Sequence, residues 1–212
     1  MFNQPLGWTI ILAKEFWEFI ITKNIVIPFK EHGIAVQQLC PHATEVVRQL
    51  QEEGYEAYIV GGSVRDLLLG KVPKDYDVAT DAIPEEVKTV FPRARIIGRR
   101  FRLAHVRMGG TLIEVATFRG PQINDDDDHQ HQNGRILRDN VWGSLEEDAV
   151  RRDFTINALF LDPVSGDIQD FVGGYKDLSD RKLRLIGDAQ TRYREDPVRL
   201  LRAARFVAKL GV

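Results

Sequence analysis

The stretch Tyr58–Thr80, YIVGGSVRDLLLGKVPKDYDVAT, decides how the chain is read. It opens as an apolar run, breaks at two glycines, runs as a short helical segment to a second glycine stop, and returns in KDYDV with the character of a buried strand. Residues i and i+2 of a strand project from one face, so a strand over 75–80 points Asp75 and Asp77 the same way. At roughly 5 Å and an effective dielectric of about 20, two such charges repel by about 3 kcal/mol. A bound cation would offset that repulsion. Alternating aspartates after a glycine turn suit a hard divalent ion such as Mg²⁺, which takes oxygen ligands and bridges to phosphates. The glycines let the backbone approach a ligand closely, and the following helix offers free N–H groups to a phosphate. Each feature alone has a commoner reading, as a tight turn or a solvated edge. Arg65 either clasps a phosphate or pairs with Asp66 or Asp75.

Outward from this stretch the pattern alternates. HATEVVRQLQEE (42–53) has helical apolar spacing and a stop at Gly54, and YEAYIV (55–60) reads as a strand. IPEEVKTVF (83–91) is a helix entered through proline. ARIIG and RLAHVRM read as strands around Gly98, and TLIEVATF (111–118), rich in β-branched residues, is the clearest strand of the chain. Within it Glu114 has apolar neighbours on both sides, and a buried carboxylate must be compensated. Either it pairs with an arginine such as Arg102 or Arg107, or it is a third acid meeting Asp75 and Asp77 across adjacent strands. The second arrangement makes sense mainly around two cations, which would stabilise the attacking and leaving oxygens of a phosphoryl displacement.

Residues 121–135 are polar and acid-rich and read as a mobile loop, with Asp125–Asp128, His129 and His131 a solvated run rather than a metal site. SLEEDAVRRDFTIN opens as a capped helix at Ser144. RRDFTINAL (151–159) then sets two arginines, Asp153 and Asn157 around one helical turn. Those arginines hold a triphosphate, with Asn157 and Asp153 bonding a ribose or orienting them, or the segment is a surface helix with internal salt bridges. LFLD…GDIQDFVGG reads as a hairpin. DPVRLLRAARFVAKLG is a strong helix with Pro197 near its start and no following element to bury its apolar face, the mark of a fragment. Glu195, Asp196 and Arg199 form a donor–acceptor set able to read a base edge. The alternative is a solvated face.

The bulk properties exclude little. The chain has 212 residues, room for one domain or a domain and part of another, and its net charge of −2 gives no global sign of nucleic-acid binding. Its one cysteine, Cys40, leaves no internal disulfide partner and fits a reducing, cytoplasmic setting. The apolar N-terminal segment is interrupted by Lys14, Glu15 and Glu18, so it is too short to span a bilayer and reads as a short amphipathic helix or an attached extension.

Together, YIVGGSVRDLLLGKVPKDYDVAT, RRDFTINAL, DFVGGYKDL and EDPVRLLRAARF, in this order, closely resemble the class II tRNA nucleotidyltransferase and bacterial poly(A) polymerase family, from about Ile34 to Val212. The resemblance implies an α+β fold: a polymerase-β-like nucleotidyltransferase head, a mixed sheet with helices packed on it. It divides the chain into an extension (1–33), the head (34–186) and the start of a helical neck (187–212). By the same resemblance Gly61, Gly62, Ser63 and Arg65, with Asp66, belong to a triphosphate loop. Asp75 and Asp77 bind two Mg²⁺ ions, with Glu114 as a third acid. Arg151, Arg152, Asp153 and Asn157 handle ATP phosphates and ribose, with Asp153 in reserve as a catalytic carboxylate. Asp170, Gly173, Gly174 and Asp177 form a hinge-like motif, and Glu195, Asp196 and Arg199 recognise the incoming base. Two activities share these motifs: adding CCA to tRNA and adding A tails to RNA 3′ ends from ATP. IIGRRFRLAHV (96–106) resembles the signature that distinguishes the second, and VIPFKEHGI (26–34) resembles its lead-in.

Overall fold

The computed structural model describes residues 24–98, 101–120 and 141–210, together with the backbone of residues 9–11, 129–132 and 135–139. The strands are β1 (Thr9–Ile11), β2 (Ile25–Ile27), β3 (Ala57–Val60), β4 (Asp77–Thr80), β5 (Arg95–Ile97), β6 (Leu103–Met108), β7 (Thr111–Thr117), β8 (His129–Gln132), β9 (Arg135–Asp139), β10 (Leu159–Leu161), β11 (Ile168–Asp170) and β12 (Lys182–Arg184). The helices are α1 (Phe29–His32), α2 (Pro41–Glu52), α3 (Gly62–Leu68), α4 (Pro84–Val90), α5 (Leu145–Arg151), α6 (Gly174–Ser179), α7 (Ala189–Glu195) and α8 (Val198–Leu210).

Eight strands form one sheet in the order β2-β11-β10-β3-β4-β7-β6-β5. Its neighbours are antiparallel except β4 and β7, which run parallel, so the sheet is mixed. The alternation of β7 explains its two faces. Ile113 and Val115 join the core with Ala104 and Val106 of β6, while Leu112 and Glu114 turn outward. On that core face lies α2, whose buried Ala43, Val46, Val47 and Leu50 follow helical i, i+3, i+4, i+7 spacing. The opposite face carries Tyr58, Val60, Phe118 and Phe160 beneath Ala149 of α5. A third cluster, Phe154, Ile156, Leu178, Leu183 and Leu185, lies under α7 and α8.

Several expectations change. The sheet draws β2 from residues assigned to the extension, because Ile25–Ile27 finds the open edge of β11. Thr9–Ile11 is a strand beside β12 rather than part of a helix; the rest of that N-terminal segment lies outside the described residues. The loop read over 121–135 contains β8, which pairs with β9 as a separate hairpin. Asp125–Asp128 lie outside the described residues. The apolar face of α8 does find a partner: Ala203, Phe206, Val207 and Leu210 pack on the third cluster, leaving Val198, Leu200 and Leu201 exposed. Among the described residues no helix is long and apolar enough to cross a membrane.

Candidate active site

The site is assembled by strand register. Val60, the last residue of β3, lies opposite Asp77 on one side and Phe160 on the other. Asp77 in turn lies opposite Glu114. One end of the central strands therefore collects the Gly61 turn, two carboxylates and the segment leading into β10. The row continues from Glu114 to His105 and Arg95. Two acids, an imidazole and a guanidinium stand side by side across four strands. His105 Nε2 is 3.4 Å from Glu114 Oε1, an ion-pair distance without hydrogen-bond geometry.

Glu114 is not buried. Its side chain is 51% exposed, because the apolar neighbours that suggested burial point to the other face. Its partner is His105 rather than an arginine: Arg102 pairs with Glu85, and Arg107 stands opposite Leu112. The strand also begins at Asp77 rather than Asp75. β3 runs out at Val60, so residues 75 and 76 have no ladder partner there. Asp75 therefore meets Asp77 from a loop, not from the next position of one strand face.

The charge of Asp77 is poorly compensated. Its side chain reaches solvent, yet the surrounding protein displaces part of the water that would stabilise its charge. That desolvation, followed by repulsion from Glu114 and Asp75, pushes its carboxyl from the ordinary 3.8 up to about 6; only Arg152 acts against the rise. Among the described residues neither aspartate has an ion-pair partner. Among the same residues no three His, Cys, Asp or Glu side chains close into a group able to hold a metal ion. The acids fit Mg²⁺ in a narrower sense. Mg²⁺ is commonly held by one or two carboxylates and completed by substrate phosphates and water rather than by an all-protein cage. Asp77 and Glu114 sit side by side, with the His105 imidazole beside Glu114 and the Arg152 charge opposing the rise at Asp77.

The glycine turn lies between two guanidiniums. Gly61 has φ 78 and ψ −129, a conformation only glycine adopts readily, and a Cβ there would meet Arg152 Nη1 at 3.7 Å. A Cβ on Gly62 would meet Arg65 Nη2 at 3.5 Å. Ser63 is buried and donates from Oγ to the Val60 carbonyl at 3.1 Å. Arg65 is buried too. Its Nε and Nη2 donate to Asp66 Oδ1 at 2.8 and 2.6 Å, and its Nη1 donates to Asn157 Oδ1 at 2.6 Å. Those bonds hold it beneath the turn and leave two of its five N–H donors uncommitted to Asp66 or Asn157. Arg152 is better placed: Asp148 Oδ2 accepts from its Nε and Nη2 at 3.0 and 2.7 Å, which aims Nη1 at the turn. Arg151 Nη1 donates to the Gly120 carbonyl at 2.5 Å.

RRDFTIN is not one helical stretch. α5 ends at Arg151, and Thr155–Asn157 form a separate 3₁₀ turn. Arg192 explains the break: its Nη2 takes the carbonyls of Arg151 and, at 2.6 Å, Arg152, which would otherwise be the unsatisfied acceptors of a helix end. The same side chain donates from Nε to the Ile186 carbonyl at 3.1 Å and from Nη1 to Glu195 Oε2 at 3.1 Å. Glu195 also accepts from Arg199 Nη1 at 3.0 Å, while Asp196 Oδ1 takes the Val198 N–H at 3.2 Å. Glu195 and Arg199 are thus joined as a pair, and Asp196 is spent on the start of α8.

The hinge-like motif fastens this loop from below. Asp170 accepts the N–H groups of Val172, Gly174 and Tyr175 at 3.1, 3.0 and 2.9 Å. Asp177 Oδ2 accepts from Thr155 Oγ1 at 2.8 Å and from Arg184 Nε at 2.9 Å. A Cβ on Gly174 would lie 2.1 Å from the Thr155 carbonyl oxygen. Gly174→Ala is therefore expected to cost about 3 kcal/mol through backbone overlap, read as a lower urea midpoint; an unchanged midpoint would refute the packing.

Asp148 and Arg192 are the residues sequence reasoning did not single out. Asp148 had a signal, standing four residues before Arg152 on one helix face. Arg192 had one only for Glu195, three residues on; the Arg151 and Arg152 carbonyls that it takes lie 41 and 40 residues away in the chain. A separate cleft of about 510 Å³, lined by Tyr58, Phe118 and Phe171 with Glu56, Asp81 and Glu146, opens at the other end of these strands and holds no predicted site residue.

Residues 57–184 match the family model described as the Poly A polymerase head domain. A poly(A) polymerase I of Escherichia coli is 55% identical over 191 residues, covering 88% of this chain and 41% of that protein. A CCA-adding enzyme of Geobacillus thermodenitrificans is 45% identical over 170 residues, 80% of this chain and 40% of that one. The crystal structure of Bacillus stearothermophilus CCA-adding enzyme in complex with CTP aligns with a TM-score of 0.68 at 39% identity, over 82% of this chain and 40% of that chain. The chain thus spans about two fifths of the length of the curated relatives it matches. The mixed sheet, its helices and the register around Asp77 accord with the expected polymerase-β-like fold, and the chain belongs to the poly(A) polymerase head-domain family.

Proposed function

We propose that the protein transfers AMP from ATP to the 3′ end of RNA without a template, and that this chain carries the catalytic head. The observation that carries the reading is the register Val60–Asp77–Glu114 at the mouth of the glycine turn, with Arg152 Nη1 beside Gly61. Adjacent acids that repel each other suit a cation, and a glycine turn flanked by guanidiniums suits phosphates.

In this reading the RNA 3′-hydroxyl attacks the α-phosphorus of ATP. A new O–P bond forms, the α–β bridge breaks, and pyrophosphate leaves. Asp75, Asp77 and Glu114 would hold two Mg²⁺ ions, whose chemistry is to neutralise charge on the triphosphate and on the oxygens that enter and leave. Arg152 steadies the phosphates, and Arg151, through its bond to Gly120, fixes the loop. Asn157 and Asp153 face the sugar, and Glu195 with Arg199 meets the base. The setting implied is the cytoplasm, where RNA and ATP meet.

The second reading is CCA addition, favoured by the likeness to a CCA-adding enzyme in complex with CTP. The higher identity to a poly(A) polymerase, 55% against 45%, and the segment 96–106 support the first. Labelled nucleotides separate them: long AMP runs on generic RNA support the first reading, and CMP transfer to a tRNA lacking its 3′ end would replace it with the second. Binding has its own check. Mg²⁺ with ATP at 100 times its Kd stabilises a folded state by about 2.7 kcal/mol, a rise in Tm of roughly 5–10 °C for a chain of this size. No rise would count against nucleotide binding by this head.

A further inference from the structure

Besides its apolar packing and the Arg199–Glu195 pair, α8 reaches the loop and α3 through Arg202, Phe206 and Lys209, at i, i+4 and i+7 of one face. Arg202 Nε donates to Asp153 Oδ2 at 2.6 Å, and Lys209 Nζ donates to Asp66 Oδ2 at 3.0 Å. Between them the Phe206 ring lies edge-on to Phe154, with centroids 5.4 Å apart, and 5.1 Å from Arg65 Cζ. The two polar ends belong to one closed circuit. Asp153 Oδ1 accepts from Asn157 Nδ2 at 3.3 Å, Asn157 Oδ1 accepts from Arg65 Nη1 at 2.6 Å, and Arg65 binds Asp66. Six polar side chains run from α8 through the RRD loop and the start of α3 back to α8.

The circuit touches the glycine turn directly, because the Arg65 guanidinium lies against the Cα of Gly62, within 3.5 Å of where a Cβ would stand. Arg65 is 2% exposed and Asp66 8%. A buried pair is sensitive to how each remaining lone pair is met, since little water is available to replace a lost partner. Asp66 gives one oxygen to Arg65 and the other to Lys209. Without the ammonium, Asp66 would rotate toward the remaining charge and carry the guanidinium with it.

We propose that Lys209 is a positioning residue for the nucleotide's phosphates: it acts through Asp66 and Arg65 to hold the Gly61–Gly62 turn in its receptive shape. It makes that turn depend on the seating of α8. The proposal rests on the nucleotide-binding reading above, and its test separates the two. Lys209→Met keeps the stem of a half-exposed side chain and removes the charge; Lys209→Arg restores a cation. Without nucleotide, Lys209→Met should speed amide hydrogen exchange at Gly62–Arg65 at least about tenfold over wild type, with the core amides of β3 and β7 unchanged. With Mg²⁺ and ATP, the Kd for ATP should rise about tenfold and recover to within about twofold in Lys209→Arg, as expected for removal and restoration of one charged hydrogen bond. Unchanged exchange at Gly62–Arg65, or the same loss in both variants, would overturn the coupling. If the wild-type chain binds no ATP while exchange responds as expected, the nucleotide reading fails and the α8-to-turn linkage stands.

Discussion

Replacing Asp77 by asparagine is expected to lower nucleotidyl transfer by at least about 10³-fold while making the folded chain more stable above pH 6. The two effects share one cause. Asp77 stands opposite Glu114 and near Asp75 in a partly dehydrated setting, and only Arg152 opposes the resulting rise of its carboxyl to about 6. Unfolding frees that carboxyl to titrate at its ordinary, lower value. Between roughly pH 4 and 6 the folded state therefore binds more protons than the unfolded one, so stability falls as pH rises through this window. Asparagine has no proton to lose and removes that decline. Tm measured against pH should show wild type and variant converging near pH 4 and the variant ahead at pH 7. Saturating Mg²⁺ should close the gap by neutralising the wild-type carboxylates. A gap of constant size across pH would mean that the acids do not repel as the register implies, and wild-type transfer by the variant would remove Asp77 from the chemistry.

Much of this site was legible because its signals are local. The apolar run ending in two glycines, Gly54 and Gly70 as stops, the capping box at Ser144 and the β-branched richness of β7 are all set within a few residues, and the structure follows them. Readings failed where a distant partner decides the outcome. The strand character of its neighbours suggests that Asp75 lies on β4, but β3 ends opposite Asp77 and offers nothing further. Glu114 is a local case instead: apolar flanking residues suggest burial, although in a strand flanking residues occupy the other face. The pattern carries α5 on through Asp153, since nothing nearby announces that Arg192 takes the carbonyls at its end. Arg65 presents the same limit: its neighbour Asp66 was visible, whereas Asn157, Phe206 and Lys209 arrive from other elements.

Arg192→Met tests the most consequential of those distant partners. The guanidinium is largely buried, with 11% of the side chain exposed. Burial, then the nearby charges of Arg199 and Arg151, pull its pKa down to about 10 against the support of Glu195, so it remains a cation at neutral pH. It donates to the carbonyls of Arg151, Arg152 and Ile186 and to Glu195, four acceptors that one planar fork can serve and one ammonium cannot. Methionine keeps the stem but leaves three carbonyls short of a donor, at roughly 1–3 kcal/mol for each left buried. A total near 4 kcal/mol lowers Tm by about 10 °C in a chain of this size. Transfer should fall about 10²-fold at temperatures where the variant is still folded, because the loop that carries Arg152 would no longer be fixed to the Glu195–Arg199 pair, and a misplacement of about 1 Å is enough for that loss. Arg192→Lys should recover part of the stability and little of the rate. If Arg192→Met melts with wild type, these carbonyls have another partner and Arg192 does not tie the two motifs. If it melts early but transfers at the wild-type rate once corrected for the folded fraction, its role is confined to folding.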